Sequence, residues 1–217
     1  MARLLVLDLD GTLVDSSRDI GTSVNAALQQ LHPGAAAIPL VRILGFVGEG
    51  ARLLVERSLA EAGLALPVDE VLAVYLDCYR ERLLDTTRLY PGMAEALAAL
   101  GPPGPALAVL TNKPGDMSRT ILEGLGVAAR FARVLGAGDV PARKPDPAGL
   151  LALLAELGIA AADAWMVGDS ATDVTTGRAA AVRVAGVSWG FHPVALRAAG
   201  PDRILDDPRE LPSLATA

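Results

Sequence analysis

Three features of the sequence predict an α/β protein: a doubly wound, Rossmann-like parallel sheet with a small all-helical cap inserted after the first strand. Short apolar runs end repeatedly in Asp, Asn, Thr or Gly, helical patterns separate them, and one long stretch near the N-terminus carries helices only. Runs rich in Leu and Val and bounded by turn residues read as strands buried on both faces. Their alternation with helices implies right-handed crossovers.

The first such run covers residues 4–9, and the others 106–110, 133–135, 164–167 and 182–187. A helix is expected over 91–100, opened by Pro91-Gly92 with Met93, Ala96, Leu97 and Leu100 on one stripe. Another is expected over 146–157, with Asp146 as N-cap, Pro147 at the first helical position and Gly158 as the stop. Between residues 16 and 86 only helical spacing occurs: Ile20, Val24, Ala27, Leu28 and Leu31, then Val71, Val74, Tyr75 and Cys78 after Pro67. Residues 1–15 and 87–217 are therefore expected to form an α/β core, and 16–86 a helical cap. Ligands of open α/β sheets bind beyond the carboxyl ends of the strands, so an insert springing from that end is placed as a lid.

The chain has 217 residues, 52% of them hydrophobic, which is enough to bury a sizeable core, but only 4% are aromatic. That core must be built mainly from Leu, Val and Ala. A formal net charge of −6 argues against a general nucleic-acid or anionic-membrane binder. The single cysteine, Cys78, excludes an intramolecular disulfide, and His32 and His192 are too far apart in sequence to suggest a zinc site. No apolar stretch approaches the ~18 residues of a membrane span or the pattern of a signal peptide. A cytoplasmic protein is expected, and the sequence carries no signal for its oligomeric state.

The chemistry concentrates at strand ends. Asp8 and Asp10, in Leu7-Asp8-Leu9-Asp10-Gly11-Thr12, lie two residues apart on an extended segment and point the same way. Two converging carboxylates repel unless a cation joins them, and an all-oxygen set suits Mg²⁺. The next strand ends in Thr111-Asn112-Lys113, where a hydroxyl, an amide and a helix N-terminus can hold an anion. Lys144 follows the third strand just before a helix start, and the fourth ends in Gly168-Asp169-Ser170 with Asp173 a turn further on. Each feature alone has a bland reading as a turn, an N-cap or a solvated lysine. Four adjacent strand ends bearing acid pair, hydroxyl, cation and acid pair do not.

Asp8-x-Asp10-Gly11-Thr12, Thr111, Lys144 and Gly168-Asp169-x-x-x-Asp173 resemble, in order, the four motifs of the haloacid-dehalogenase-like hydrolase superfamily. Phe46-Val47-Gly48-Glu49-Gly50, Leu110-Thr111-Asn112-Lys113-Pro114 and Ser188-Trp189-Gly190 look most like its phosphoglycolate phosphatase branch. The resemblance implies a phosphomonoesterase acting on a small phosphorylated metabolite. Asp8 would be the nucleophile and Asp10 the general acid and base. Mg²⁺ would be held by Asp8, the Asp10 carbonyl and Asp169. Thr111 and nearby backbone amides would bind the phosphoryl oxygens with help from Asn112, Lys144 would neutralise their charge and orient Asp8, and Ser170 and Asp173 would support.

In the cap, Gly48, Glu49 and Arg52 are candidates for meeting a small substrate carboxylate, although Glu49 and Arg52 read equally well as a surface ion pair. Cys78 and Trp165 read as core, His32 and His192 as loop residues, and Trp189 as packing or the rim of the site. Asp10 argues against a dehalogenase, which has no leaving alkoxide to protonate. The absence of lysine from 16–86 argues against a phosphonatase using a cap Schiff base. A receiver-like signalling domain would lack both the acid pair on the first strand and the lid. A sugar phosphomutase, another small phosphate ester or pyrophosphate stay open.

Overall fold

The structure, a computed structural model, describes residues 2–216. The first strand, β1 (Leu4–Leu7), is buried along its whole length and forms the middle of a six-stranded sheet. Parallel to it on one side run β4 (Ala106–Pro114) and then β5 (Arg133–Ala137), and on the other β6 (Ala164–Gly168), β7 (Arg183–Val187) and β8 (Arg203–Leu205). After β5 the chain crosses back over β4 and β1 to lay down β6, so the winding reverses beside β1. A crevice opens at such a reversal. Leu5 and Leu7 face one core layer and Leu4 and Val6 the other, as side-chain alternation on a doubly covered strand requires.

The helices that cover the sheet are α5 (Met93–Ala99), α6 (Gly115–Gly124), α7 (Ala148–Leu157), α8 (Ala171–Ala179) and α9 (Pro193–Ala199). Asp146 does not cap α7 at the position expected. Its carboxylate takes the Ala148 N–H at 2.8 Å, and the helix begins two residues later. Gly158 ends it in the left-handed conformation, as anticipated. Strand β4 runs four residues past its expected end, because a residue before proline avoids helical backbone. Lys113 precedes Pro114, so Thr111, Asn112 and Lys113 stay in the strand and the helix waits until Gly115.

Residues 17–80 form α1 (Ser17–Leu31), α2 (Leu40–Leu44), α3 (Ala51–Ala62) and α4 (Val68–Arg80), with no strand among them. Ile20, Val24, Ala27, Leu28, Val71, Tyr75 and Cys78 are buried, on the faces that the spacing predicts. The two chain crossings into this helical segment pair with each other. Val14–Asp15 (β2) and Arg88–Leu89 (β3) form a short antiparallel ribbon, Asp15 opposite Arg88. These two-residue strands, like β8, escape sequence periodicity because they are too short to show any.

Asp19, buried in the first turn of α1, pins the returning chain. Its carboxylate accepts the N–H and hydroxyl groups of Thr86 and Thr87 at 2.5–3.0 Å. Burial works against its ionisation, but these hydrogen bonds outweigh burial and hold its pKa below the ordinary 3.8. Its contribution to stability is therefore complete above the unfolded value and is lost as pH falls through the folded one. Asp19→Ala is expected to cost about 2 kcal/mol at neutral pH. In urea titrations of wild type and variant, that gap should narrow as the pH drops below about 4.

Candidate active site

Register sets the geometry of the site. Leu7 on β1 lies opposite Val109 on β4 and Val167 on β6, so Asp8 and Asp169 leave the ends of their strands beside Thr111, which is still within β4. All three line one cavity with Asp10, Asn112 and Lys113 beneath the helical segment. Two glycines make the close approach possible. A Cβ on Gly168 would collide with the Asp173 side chain, and one on Gly11, whose φ is +78°, would collide with the Asp169 carboxylate.

Asp8 is 7% exposed. Its Oδ1 accepts the Leu9 N–H at 2.7 Å and lies 3.0 Å from Lys144 Nζ. Lys144 also donates to Asp173 Oδ1 at 2.6 Å. The other oxygen of Asp173 is held by the Ser170 N–H and hydroxyl, at 3.1 and 2.6 Å, in a capping box that starts α8. Asp173 thus has both oxygens committed, to Lys144 and to its helix. Ser170 supports Asp173 and is absent from the cavity wall.

Charge in this site is out of balance. Burial pushes the Asp8 carboxyl up from 3.8 to about 6; Lys144 opposes the rise and Asp173 adds to it. Burial, then the charges of Asp173 and Asp8, push Asp169 well above the usual carboxylate range, against the pull of the Phe191 N–H and Lys144. Burial disfavours the Lys144 ammonium, but Asp173 and Asp8 outweigh it and hold its pKa above the ordinary lysine value. One lysine faces three acids. Asp8, Asp169 and Asp173 each offer an oxygen within 4.8 Å of the others. Asp8 Oδ2 and Asp169 Oδ1 accept no hydrogen bond among the described residues. An all-oxygen donor set with surplus negative charge fits a hard divalent cation.

Asp10 is engaged by two side chains. Ser16 donates to its Oδ1 at 2.5 Å, and Lys113 Nζ lies 2.9 and 2.8 Å from its two oxygens. Lys113 also donates to the Tyr79 hydroxyl on α4 at 2.5 Å. Sequence reasoning gave Lys113 no role, because the strand was expected to end at Leu110. Carried on through Pro114, the period of two from Thr111 would have pointed to it.

The helical segment touches the core through the loop at residues 46–50. Asn112 Nδ2 donates to the Gly48 carbonyl at 2.9 Å and to the Lys144 carbonyl at 2.8 Å. His192 Nε2 lies 2.9 Å from the Val47 carbonyl. His192 is a loop residue as expected, but it lines the cavity and clasps this loop. Trp189 packs near Tyr90 and donates to the Thr12 carbonyl at 3.1 Å. Gly48 and Gly50 line the cavity, whereas Glu49 and Arg52 do not. Nor do those two pair with each other. Glu49 pairs with Arg57, and Arg52 with Glu56 and Asp69, all on the exposed face. Positive φ at Gly48 and Gly50 sets the loop so that its backbone, rather than the Glu49 side chain, faces the site.

The sheet, its reversal point and the acid-rich strand ends define a Rossmann-like α/β protein with an aspartate-centred site under a helical insert. The haloacid dehalogenase-like hydrolase family matches residues 5–187, and the chain belongs to it. Among relatives, a phosphoglycolate phosphatase of Rhodospirillum rubrum is 40% identical, over 95% of this chain and 88% of its own. One from Haemophilus influenzae is 36% identical over 98% and 97%. A crystal structure of a predicted phosphoglycolate phosphatase from Haemophilus somnus superposes with a TM-score of 0.91 at 31% identity, covering 97% and 96% of the two chains.

Removing Lys144 strands its buried acids. Lys144→Met is expected to destabilise the metal-free protein by about 3–5 kcal/mol. Combining it with Asp173→Asn should recover part of that loss, so the two substitutions will be less than additive in denaturant melts.

Proposed function

We propose that the protein is a Mg²⁺-dependent phosphomonoesterase that works through an aspartyl-phosphate and has 2-phosphoglycolate as its substrate. The observation that carries the reading is the convergence of Asp8, Asp10, Thr111 and Asp169 on one cavity, with Lys144 bonded to Asp8 from behind. The choice of substrate leans on the relatives, several of which are phosphoglycolate phosphatases at 35–40% identity.

In this mechanism Asp8 attacks phosphorus with the carboxylate that Lys144 and the Leu9 N–H orient. The ester oxygen leaves as the P–O bond breaks, taking a proton from Asp10. Asp10 then removes a proton from water. The water oxygen bonds to phosphorus, and the bond from phosphorus to Asp8 breaks to free phosphate. Thr111 holds phosphoryl oxygens, and Lys144 offsets the charge that gathers on them. Asp8, Asp169 and the Asp10 carbonyl would hold Mg²⁺, which when bound supplies positive charge between the two anions. Phosphoryl transfer asks mainly for positioning and electrostatics, which these groups provide.

Phosphate release from a panel of small esters tests the reading. Wild type should prefer 2-phosphoglycolate by about a hundredfold in kcat/KM, and EDTA or Asp8→Asn should abolish the signal. Metal- and Asp8-dependent release that favours another ester would overturn the substrate and leave the mechanism. Absence of release from every ester would overturn both.

The upward shifts of Asp8 and Asp169 give a second check. Protons occupy these carboxylates at low pH and compete with a cation for them. The rise in Tm on adding Mg²⁺ should therefore be larger at about pH 7.5 than at about pH 5.

A further inference from the structure

We infer that Lys113 receives the second anionic group of the substrate and so selects phosphorylated acids over phosphate esters of uncharged alcohols; this rests on the phosphomonoesterase reading above. A substrate carrying both a phosphate and a carboxylate brings two negative charges into a buried space. The phosphate end belongs beside Asp8 and Thr111. The carboxylate must lie elsewhere along the same cavity and needs a cation or a set of donors there.

The cavity leaves few choices. Glu49 and Arg52 face away, and Lys144 is committed to Asp8 and Asp173 beneath the floor. Of the residues lining the wall, Lys113 and His192 are those able to carry positive charge, and His192 already meets the Val47 carbonyl. Much of the wall beneath the helical segment is apolar, formed by Ile20, Leu54 and Leu76. Those side chains offer a carboxylate no donor, and Lys113 is the buried cation of the wall that can turn to it.

Position agrees with charge. Asp10 serves the ester oxygen, so that oxygen lies within hydrogen-bond reach of the Asp10 carboxyl. In a 2-phospho acid the carboxyl carbon is two bonds from the ester oxygen, which puts the carboxylate beside Asp10. Lys113 Nζ occupies that place, at 2.8–2.9 Å from the Asp10 oxygens and 2.5 Å from Tyr79 on α4. The residue is 7% exposed, so its charge acts in a poorly hydrated space. An ammonium has three donors and can keep one on Asp10 while turning another to the substrate.

A role confined to holding Asp10 would affect every ester alike, so the test is a difference between substrates. Steady-state kinetics would compare 2-phosphoglycolate with ethyl phosphate, which has the ester oxygen but no carboxylate, for wild type, Lys113→Met and Lys113→Arg. Lys113→Met should lose about 100-fold more kcat/KM on 2-phosphoglycolate than on ethyl phosphate, the scale on which a buried charge pair loses one partner. The excess should fall mainly in KM, and Lys113→Arg should restore most of the preference. Equal losses on both esters would overturn the assignment and leave Lys113 as a positioning residue for Asp10. Should Lys113→Met fail to fold by circular dichroism, Lys113→Gln carries the same comparison, because it keeps a donor and removes the charge. The wild-type row separates the two readings. A wild type with no preference for 2-phosphoglycolate sinks the substrate assignment and this inference with it. A preference that survives Lys113→Met sinks only this inference.

Discussion

The contact on which the rest of the site depends is the one between Lys144 and its two carboxylates, Asp8 at 3.0 Å and Asp173 at 2.6 Å. Buried like charges cannot sit together without compensation, and here three acids share a space that one ammonium only partly balances. Asp173 is tied to Lys144 on one side and to Ser170 and the start of α8 on the other. The repulsion between the acids is therefore offset at a helix terminus and a lysine. Asp8 gives one oxygen to its protein donors, and the other accepts no hydrogen bond among the described residues. The surplus negative charge is a standing demand for a cation, built in by the sheet register.

Much of this is written in the sequence, and the reason is local. Leu4 to Leu7 are apolar without a break because both faces of β1 are covered, and such a run ending in Asp-x-Asp states where the strand stops and what it presents. The helical faces of residues 17–80 are legible for the same reason: Ile20, Val24 and Leu28 repeat on a turn that the packing then uses.

What was not legible depends on direction and on pairing at a distance. Glu49 and Arg52 stand in a segment whose composition suits a carboxylate, but the side on which a loop side chain leaves the backbone follows from two positive-φ glycines and from Arg57 and Asp69, which come from other turns. Lys113 was hidden by a strand end placed at Leu110; its meeting with Tyr79 joins positions 34 residues apart through the packing of α4 on the core. The contact of His192 with the Val47 carbonyl spans 145 residues and has no sequence signature at all.

The ribbon of β2 and β3 carries a consequence for how the chain can vary. Asp15 and Arg88 face each other as ladder partners, so the outgoing and returning strands are already at the spacing of a hairpin neck. In topological terms the whole helical segment is an elaborated hairpin loop whose chain leaves and re-enters the core through a two-residue stem. A segment attached in this way can grow, shrink or be exchanged without changing the distance the core must span. The strand end that carries Asp8 is insulated from such changes, while residues that reach across, such as Tyr79, change with the insert.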